Sequence, residues 1–493
     1  MKLLNLILTF SCVFFISACT VRESNETLKP NILFIITDDQ SWEHAGCYGD
    51  KALRTPSIDR LANEGVRFEN AYCAAPSCSP SRAGIFTGQD IFRLEEGGVL
   101  TGILWEKFSV FPRLLADNGY HVGATGKRYW PRTQNVEGAI DEPIAKIYDS
   151  QLHDSTPDFI SKRDYSANFK EFLDDNSEGK PFFFWVGTGE PHRKYEIGRG
   201  IGTGIDTSKI RIPAFFPDVP VSKLDIADYM AEIEWVDQAV GEMIDILESK
   251  DLLDNTLIIY TSDNGMPFPR AKATLYDHGV RMPLIMRWGN EIKTGRVVTD
   301  PVSLIDMAPT FLELAGVEVP EEMTGRSITN LLFSSESGDI DPDRDFVVTT
   351  FEKHTFCRPD SMGFPRRAIH TDKWTYIINF EPDRYPMGNA DLFIPRWDVL
   401  GDTDPGRLKE YFKQNVENPE FITFWELAFG KVPREQLFNK KKDPDMVNNL
   451  ADDPAYKEIK TDLKTKLENY LKEHNDPRSR DESPWDTYKL DKS

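Results

Sequence analysis

Cysteine and histidine are both scarce in this chain, at six and eight among 493 residues. The cysteine spacing gives neither a zinc pattern nor a disulfide framework, and Cys47 and Cys73 either pair or simply pack. So few histidines leave little for a two-zinc phosphoryl-transfer centre; only His44 stands near the first acidic pair, Asp38-Asp39. Basic charge is in deficit too, with 58 Lys and Arg against 80 Asp and Glu and a net charge of −22. That balance argues against nucleic acid as a partner and disfavours an anionic membrane surface. An anionic substrate would need a locally basic pocket inside an acidic shell. Long apolar runs are also missing. Leu3 to Ile16 falls short of the roughly 20 residues that cross a bilayer.

That short run has another reading. Lys2, the apolar stretch and Ile16-Ser17-Ala18-Cys19 resemble a bacterial lipoprotein signal. The resemblance implies removal of residues 1–18, lipidation of Cys19, and a polar tether over 19–29. The protein is then expected to be exported, to the periplasm or the cell membrane, and to meet the membrane only through its lipid.

From residue 30 the texture is globular. Ile32 to Ile36 is a continuous β-branched and aromatic run, as expected of a strand buried on both faces of a parallel sheet. His121–Thr125, Pro181–Val186 and Thr256–Thr261 read the same way, and Val66–Tyr72 alternates like a strand. Helical periodicity lies between them, as in Asp225–Lys250. Strands alternating with helices predict an α/β fold: a large mixed, mostly parallel sheet flanked by helices, over residues 30–345. Past 345 the pattern predicts a smaller C-terminal α+β subdomain over 346–478. It has strands within Arg366–Phe380, an irregular aromatic-rich stretch over 381–435 and an amphipathic helix over Ala455–Leu471. A polar, disordered tail over 479–493 closes the chain.

Four of these strands run into polar groups that a core would not tolerate. One ends at Asp38-Asp39, another at Asp263-Asn264-Gly265, a third before Gly189-Glu190-Pro191-His192 and a fourth at Gly126-Lys127. Ligands of open parallel sheets bind beyond the carboxyl ends of the strands, so these groups can converge. Three carboxylates and one amide are hard oxygen donors, suited to calcium or magnesium rather than zinc.

The most specific segment is Cys78-Ser79-Pro80-Ser81-Arg82, followed by Phe86-Thr87-Gly88. It resembles the signature of the type I sulfatases, in which a maturation enzyme oxidises the cysteine to formylglycine (3-oxoalanine). The resemblance implies an alkaline-phosphatase-like sandwich fold. It also implies a calcium ion held by Asp38, Asp39, Asp263, Asn264 and an oxygen of residue 78. One hydroxyl of the aldehyde hydrate would attack sulfur and the second would later expel sulfate, splitting one hard step into two. Arg82 would hold the hydroxyl, Lys127 and Lys272 would bind sulfate oxygens, and His192 would protonate the leaving oxygen. Where the family usually reads G-K-x-H, this chain has Tyr129, which donates a hydrogen bond but does not exchange a proton near neutrality.

Thr261–Pro269, Glu190-Pro191-His192-Arg193 and Asn475-Asp476-Pro477 resemble the sulfamidase (heparan N-sulfatase) branch, which includes bacterial polysaccharide sulfatases. By that resemblance Glu352, His354, Arg358 and Arg366 join Tyr129 as expected substrate contacts. The expected substrate is a sulfated carbohydrate, an algal polysaccharide such as ulvan first and heparan-type N-sulfate second. A metal-dependent phosphohydrolase and a non-catalytic glycan-binding protein are the competing readings.

Overall fold

The computed structural model describes residues 29–129, 136–289, 291–389 and 400–487. Cys19, the expected leader and almost all of the tether lie outside the described residues. In chain order the strands are β1 (Asn31–Thr37), β2 (Val66–Phe68), β3 (Ala71–Tyr72), β4 (His121–Gly126), β5 (Phe182–Gly187), β6 (Thr256–Ser262) and β7 (Arg281–Met282). There follow β8 (Leu284–Arg287), β9 (Arg296–Val298), β10 (Val302–Ser303), β11 (Val347–Phe351), β12 (Arg366–His370), β13 (Trp374–Asn379) and β14 (Glu435–Asn439).

The large sheet runs β4-β5-β1-β6-β8-β2-β9. Its first four strands are mutually parallel, while β8 lies antiparallel between β6 and β2. Strand β1 is apolar along its whole length because both its faces are covered. Leu33 and Ile35 join Phe184, Val236 and Val240 on one side, and Ile32, Phe34 and Ile36 join Trp185 and Leu257 on the other. Val236 and Val240 belong to the helix Pro220–Ser249, which begins with proline at a first-turn position, where no helical N–H bond is lost. Parallel strands sharing one direction bring the ends of β4, β5, β1 and β6 to one edge. Backbone bonds lock that edge: Asp263 N donates to Thr37 O at 3.1 Å, and Asp38 N to Glu190 O at 3.0 Å.

Three expectations change. The strand over Val66–Tyr72 breaks into β2 and β3, with β3 in a separate sheet of order β10-β3-β7. Glu69 and Asn70 are weak strand formers, and the Asn70 amide donates to Thr299 O at 2.7 Å where the chain steps across. The irregular stretch over 381–435 contains two helices, Arg407–Gln414 and Ile422–Phe429. The polar tail is not disordered as far as Thr487: Trp485 is 1% exposed, and its indole N–H donates to Glu95 O at 3.0 Å.

A four-stranded antiparallel sheet, β11-β12-β13-β14, forms the smaller C-terminal layer. The helix Lys457–Glu473 seals it with Leu463, Leu467 and Leu471 packed on Ile369, Tyr376 and Leu437. Cys47, Cys73, Cys78 and Cys357 are all free thiols, so Cys47 and Cys73 pack and do not pair.

Candidate active site

The edge where the four parallel strands end carries a cluster of buried charge. Strand β1 delivers Asp38 and Asp39, the latter at φ 73°, a left-handed conformation costly for a non-glycine residue. Strand β6 delivers Asp263 and Asn264. The two ends are bound together: Asp39 N donates to Asp263 Oδ1 at 3.1 Å, and Asn264 Nδ2 to Asp39 Oδ1 at 2.7 Å.

Cys78 opens the helix Cys78–Thr87, every residue of which is buried. The extended Ser77 before it and Gly88 after it, at φ 63°, mark its limits. Ser81 Oγ donates to Asp263 O at 2.5 Å, and Arg82 Nε to Asp263 Oδ2 at 2.7 Å, so this helix is fastened to the end of β6. Cys78 Sγ lies 3.9 Å from Asp39 Oδ1. One ligand atom from each of Asp38, Asp39, Cys78 and Asp263 falls within a 4.8 Å sphere of mutual distances.

Cations surround these carboxylates. Lys127 follows β4 and bonds Asp38 through its ammonium. Gly126 before it is obligatory: at φ 74° a Cβ would sit 2.0 Å from Gly187 O. Lys272 Nζ reaches Asp39 Oδ2 at 2.7 Å. His192 Nε2 lies 3.8 Å from the same oxygen, and its Nδ1 lies 2.6 Å from Arg193 O. That contact fixes Nδ1 as the donor and turns Nε2 toward the cluster.

Burial alone would push the Asp38 carboxyl up, but Lys127, His192, Arg82 and Lys272 outweigh it and hold the group well below the carboxylate range. Burial and the Asp38 charge push Asp263 up to about 6, against Arg82 and Lys127. Burial and Asp38 also push the Cys78 thiol well up. An unmodified thiol here is neutral and a poor nucleophile.

The donor set fits a hard divalent cation. Asp38 Oδ1 and Asn264 Oδ1 are buried with no hydrogen-bond partner, as is Arg82 Nη2. Orphaned acceptors of this kind are costly unless a ligand satisfies them. Carboxylate and amide oxygens are the donors calcium takes.

The cluster forms the floor of a cavity of about 790 Å³, whose walls include Asp38, Cys78, Lys127, His192 and Lys272. Tyr129 and His354 also line it. The Tyr129 hydroxyl is committed to Gly102 O at 2.7 Å, and burial raises its phenol. His354 Nδ1 sits 2.8 Å from Ser77 Oγ, and burial with Lys272 nearby pushes the imidazole below its ordinary value.

Glu352, Arg358 and Arg366 are not among the cavity-lining residues. Glu352 is ion-paired with Arg367 and Arg478, both at 2.7 Å. Arg358 is paired with Asp402 at 2.6 Å, and Arg366 donates to Ala273 O at 3.1 Å. All three are engaged within the chain, while Arg358 Nη1 and Arg366 Nε are buried without partners. The residue that sequence reasoning missed is Asp404, which lines the cavity and accepts from Lys272 Nζ at 2.9 Å. Its local pattern, Asp-Pro, signals only a turn.

A parallel-sheet edge carrying hard oxygen donors, a helix-borne residue 78 and a ring of cations define a site whose donors fit a hard cation and whose lysines fit an oxyanion. The comparisons name the family. A model described as Sulfatase matches residues 30–317, and one described as N-sulphoglucosamine sulphohydrolase, C-terminal, matches 270–386. The chain belongs to the sulfatase family.

Among relatives, an "Ulvan-active sulfatase" of Formosa agariphila is 29% identical over 459 residues, 91% of this chain and 81% of that one. The "N-sulphoglucosamine sulphohydrolase" of Homo sapiens is 26% identical over 487 residues, 91% of each. A structure solved with its substrate D-glucosamine-2-N,6-O-disulfate superposes with a TM-score of 0.66 at 22% identity, covering 94% of this chain and all (100%) of that one. It shares the fold.

Proposed function

We propose that this sulfatase removes sulfate from a sulfated polysaccharide or its oligosaccharides, with an algal polysaccharide of the ulvan type as first candidate. The observation that carries the reading is residue 78 at the start of a wholly buried helix, facing the carboxylates at the ends of β1 and β6. Asp38, Asp39, Asp263 and Asn264 would hold calcium, which supplies positive charge beside the sulfate. Formylglycine at position 78, once hydrated by water to a gem-diol, would supply a hydroxyl nucleophile in place of the thiol.

The chain's own residues do the rest. Lys127 and Lys272 bring ammonium groups to the cavity floor and offset the charge of sulfate oxygens. Arg82 fixes Asp263 through its Nε. It also bonds Lys127 O at 2.6 Å, so helix, β4 end and β6 end hold one geometry. His192, with Nδ1 anchored, presents Nε2 to give a proton to the departing sugar oxygen.

The ulvan-active relative, over 91% of this chain, supports the first candidate. Heparan-type N-sulfate is the second, supported by the match of residues 270–386 to the N-sulphoglucosamine sulphohydrolase C-terminal model. Sulfate release from ulvan-derived oligosaccharides and from N-sulfoglucosamine oligosaccharides decides between them, and release from neither counts against both. Mass spectrometry of the peptide carrying residue 78, from protein made beside a maturation enzyme, tests the aldehyde. We further infer export and lipid anchoring at Cys19. Labelled palmitate incorporated by the wild type and lost in Cys19→Ser is the expected result.

A further inference from the structure

We propose that Phe159 and Arg163 form a second subsite in the cavity, which recognises the sugar next to the sulfated one and requires an anionic group on it. The proposal rests on the sulfatase reading and adds the charge pattern of the substrate.

The cavity wall holds several basic side chains, and most are occupied by the fold itself. Lys127 and Lys272 pair with Asp38, Asp39 and Asp404. Arg193 pairs with Asp225 at 2.8 Å, and Lys409 donates to the carbonyls of Leu400 and Thr403. Arg128 has Glu142 at 2.9 Å. Arg163 differs. Its side chain is 45% exposed, and its Nε reaches Asp149 Oδ2 at 3.0 Å. Asp149 is already shared with Arg128, Thr125 Oγ1 and Gly126 N. In a protein of net charge −22, this half-exposed guanidinium is, among the described residues of the cavity wall, the basic group most open to an external oxyanion.

Four residues earlier Phe159 lines the same cavity at 61% exposure and at φ 69°. Exposed phenyl surface and a left-handed backbone at a bulky residue both cost free energy, and such combinations cluster where a ligand is bound. An aromatic face gives a sugar ring a flat apolar surface to cover.

The loop is held in place. Leu152 and Arg163 form an antiparallel bridge, with Asp164 N donating to Gln151 O at 3.1 Å. Ser161 N donates to Glu190 Oε1 at 2.7 Å, and Tyr165 Oη to Glu190 Oε2 at 2.9 Å. Glu190 stands two positions before His192, so the segment that delivers the proton donor also positions the second subsite.

The test uses three sulfated disaccharides of one length. Their second residue is a uronate, the same uronate reduced to a neutral sugar, or that neutral sugar carrying a second sulfate. Binding to the Cys78→Ala protein is measured by calorimetry, which needs no turnover. The uronate, the doubly sulfated sugar, or both are expected to bind more tightly than the neutral one, and the identity of the tighter ligand names the anion. Arg163→Gln should shrink that preference by about tenfold, the scale of one charge-assisted hydrogen bond. Arg163→Lys should restore part of it. Phe159→Ala should weaken all three alike and leave the preference intact. A preference unchanged in Arg163→Gln, or no binding of any disaccharide, overturns the subsite. Failure of the wild type to release sulfate from any of them overturns the sulfatase reading instead.

Discussion

Two buried arginines are treated differently, Arg82 at the ends of β1 and β6 and Arg367 under the four-stranded C-terminal sheet. In the C-terminal layer Arg367 is wholly buried, and each of its donor nitrogens has an acceptor. Nε and Nη2 meet Asp476 at 2.6 and 3.0 Å, Nη2 also meets Glu352 at 2.7 Å, and Nη1 meets the carbonyls of Phe351 and Arg366. Arg478 closes the set on the other Glu352 oxygen. At the strand ends Arg82 is equally buried, yet its Nη2, Asp38 Oδ1 and Asn264 Oδ1 lack partners. A closed network of this sort holds a fold together; an open one is arranged around something that comes from outside.

The largest effect that sharpens this contrast is on turnover. Cys78→Ala should lower sulfate release by at least about a thousandfold while unfolding free energy stays within about 1 kcal/mol of wild type. Activity near wild type would remove residue 78 from the chemistry. Opposite behaviour is expected in the closed network. Arg367→Met leaves Asp476 and Glu352 without their shared cation and should cost about 3–5 kcal/mol in urea unfolding, with turnover of the folded fraction retained. A collapse of turnover without loss of stability would break the contrast.

Calcium should stabilise the open network alone. At a concentration about a hundredfold above its dissociation constant, a site-bound ion adds about 2.7 kcal/mol, and a chelator removes it. Thermal unfolding with calcium or with a chelator reads this directly, and Asp38→Asn should abolish most of the difference. A calcium shift that persists in Asp38→Asn would place the ion elsewhere.

A smaller effect concerns Glu232, on the helix Pro220–Ser249, whose two carboxylate oxygens are buried without partners. Burial, with Glu190 adding repulsion, pushes its carboxyl up to about 9 from 4.5. A raised folded-state value means that its contribution is fully present below about pH 4.5 and is lost as pH rises toward 9. Glu232→Gln should therefore stabilise the protein at pH 7.5, with a gain that shrinks steadily as pH falls toward 5. Equal gains at both values would mean that Glu232 does not titrate in that window.

Much of this was legible in one dimension, for a physical reason. A strand buried on both faces must be apolar throughout, so Asp38 after β1 and Asp263 after β6 stand out as interruptions. The rule that ligands lie beyond such ends then brings them together. The segment from Cys78 to Gly88 stands out through its resemblance to a family signature. Asp404 did not read, because its partner Lys272 lies 132 positions away and only tertiary structure brings the two together. A charged residue in a sequence does not declare whether its counterion is a substrate or another part of the chain; Glu352 and Arg358 are paired within the chain and, with Arg366, stand off the cavity wall. The tail misled through composition: one buried tryptophan among polar neighbours is enough to anchor it.

Residue 78 is 4% exposed, at the bottom of a cavity whose floor is assembled from opposite halves of the sequence. Once the floor has closed, that side chain offers a second enzyme almost no surface to draw into its own catalytic cleft. On the proposed function, conversion to the aldehyde therefore runs against a clock set by folding: a chain that closes first is locked as a thiol. Slowing closure in the cell should then raise the fraction of matured protein.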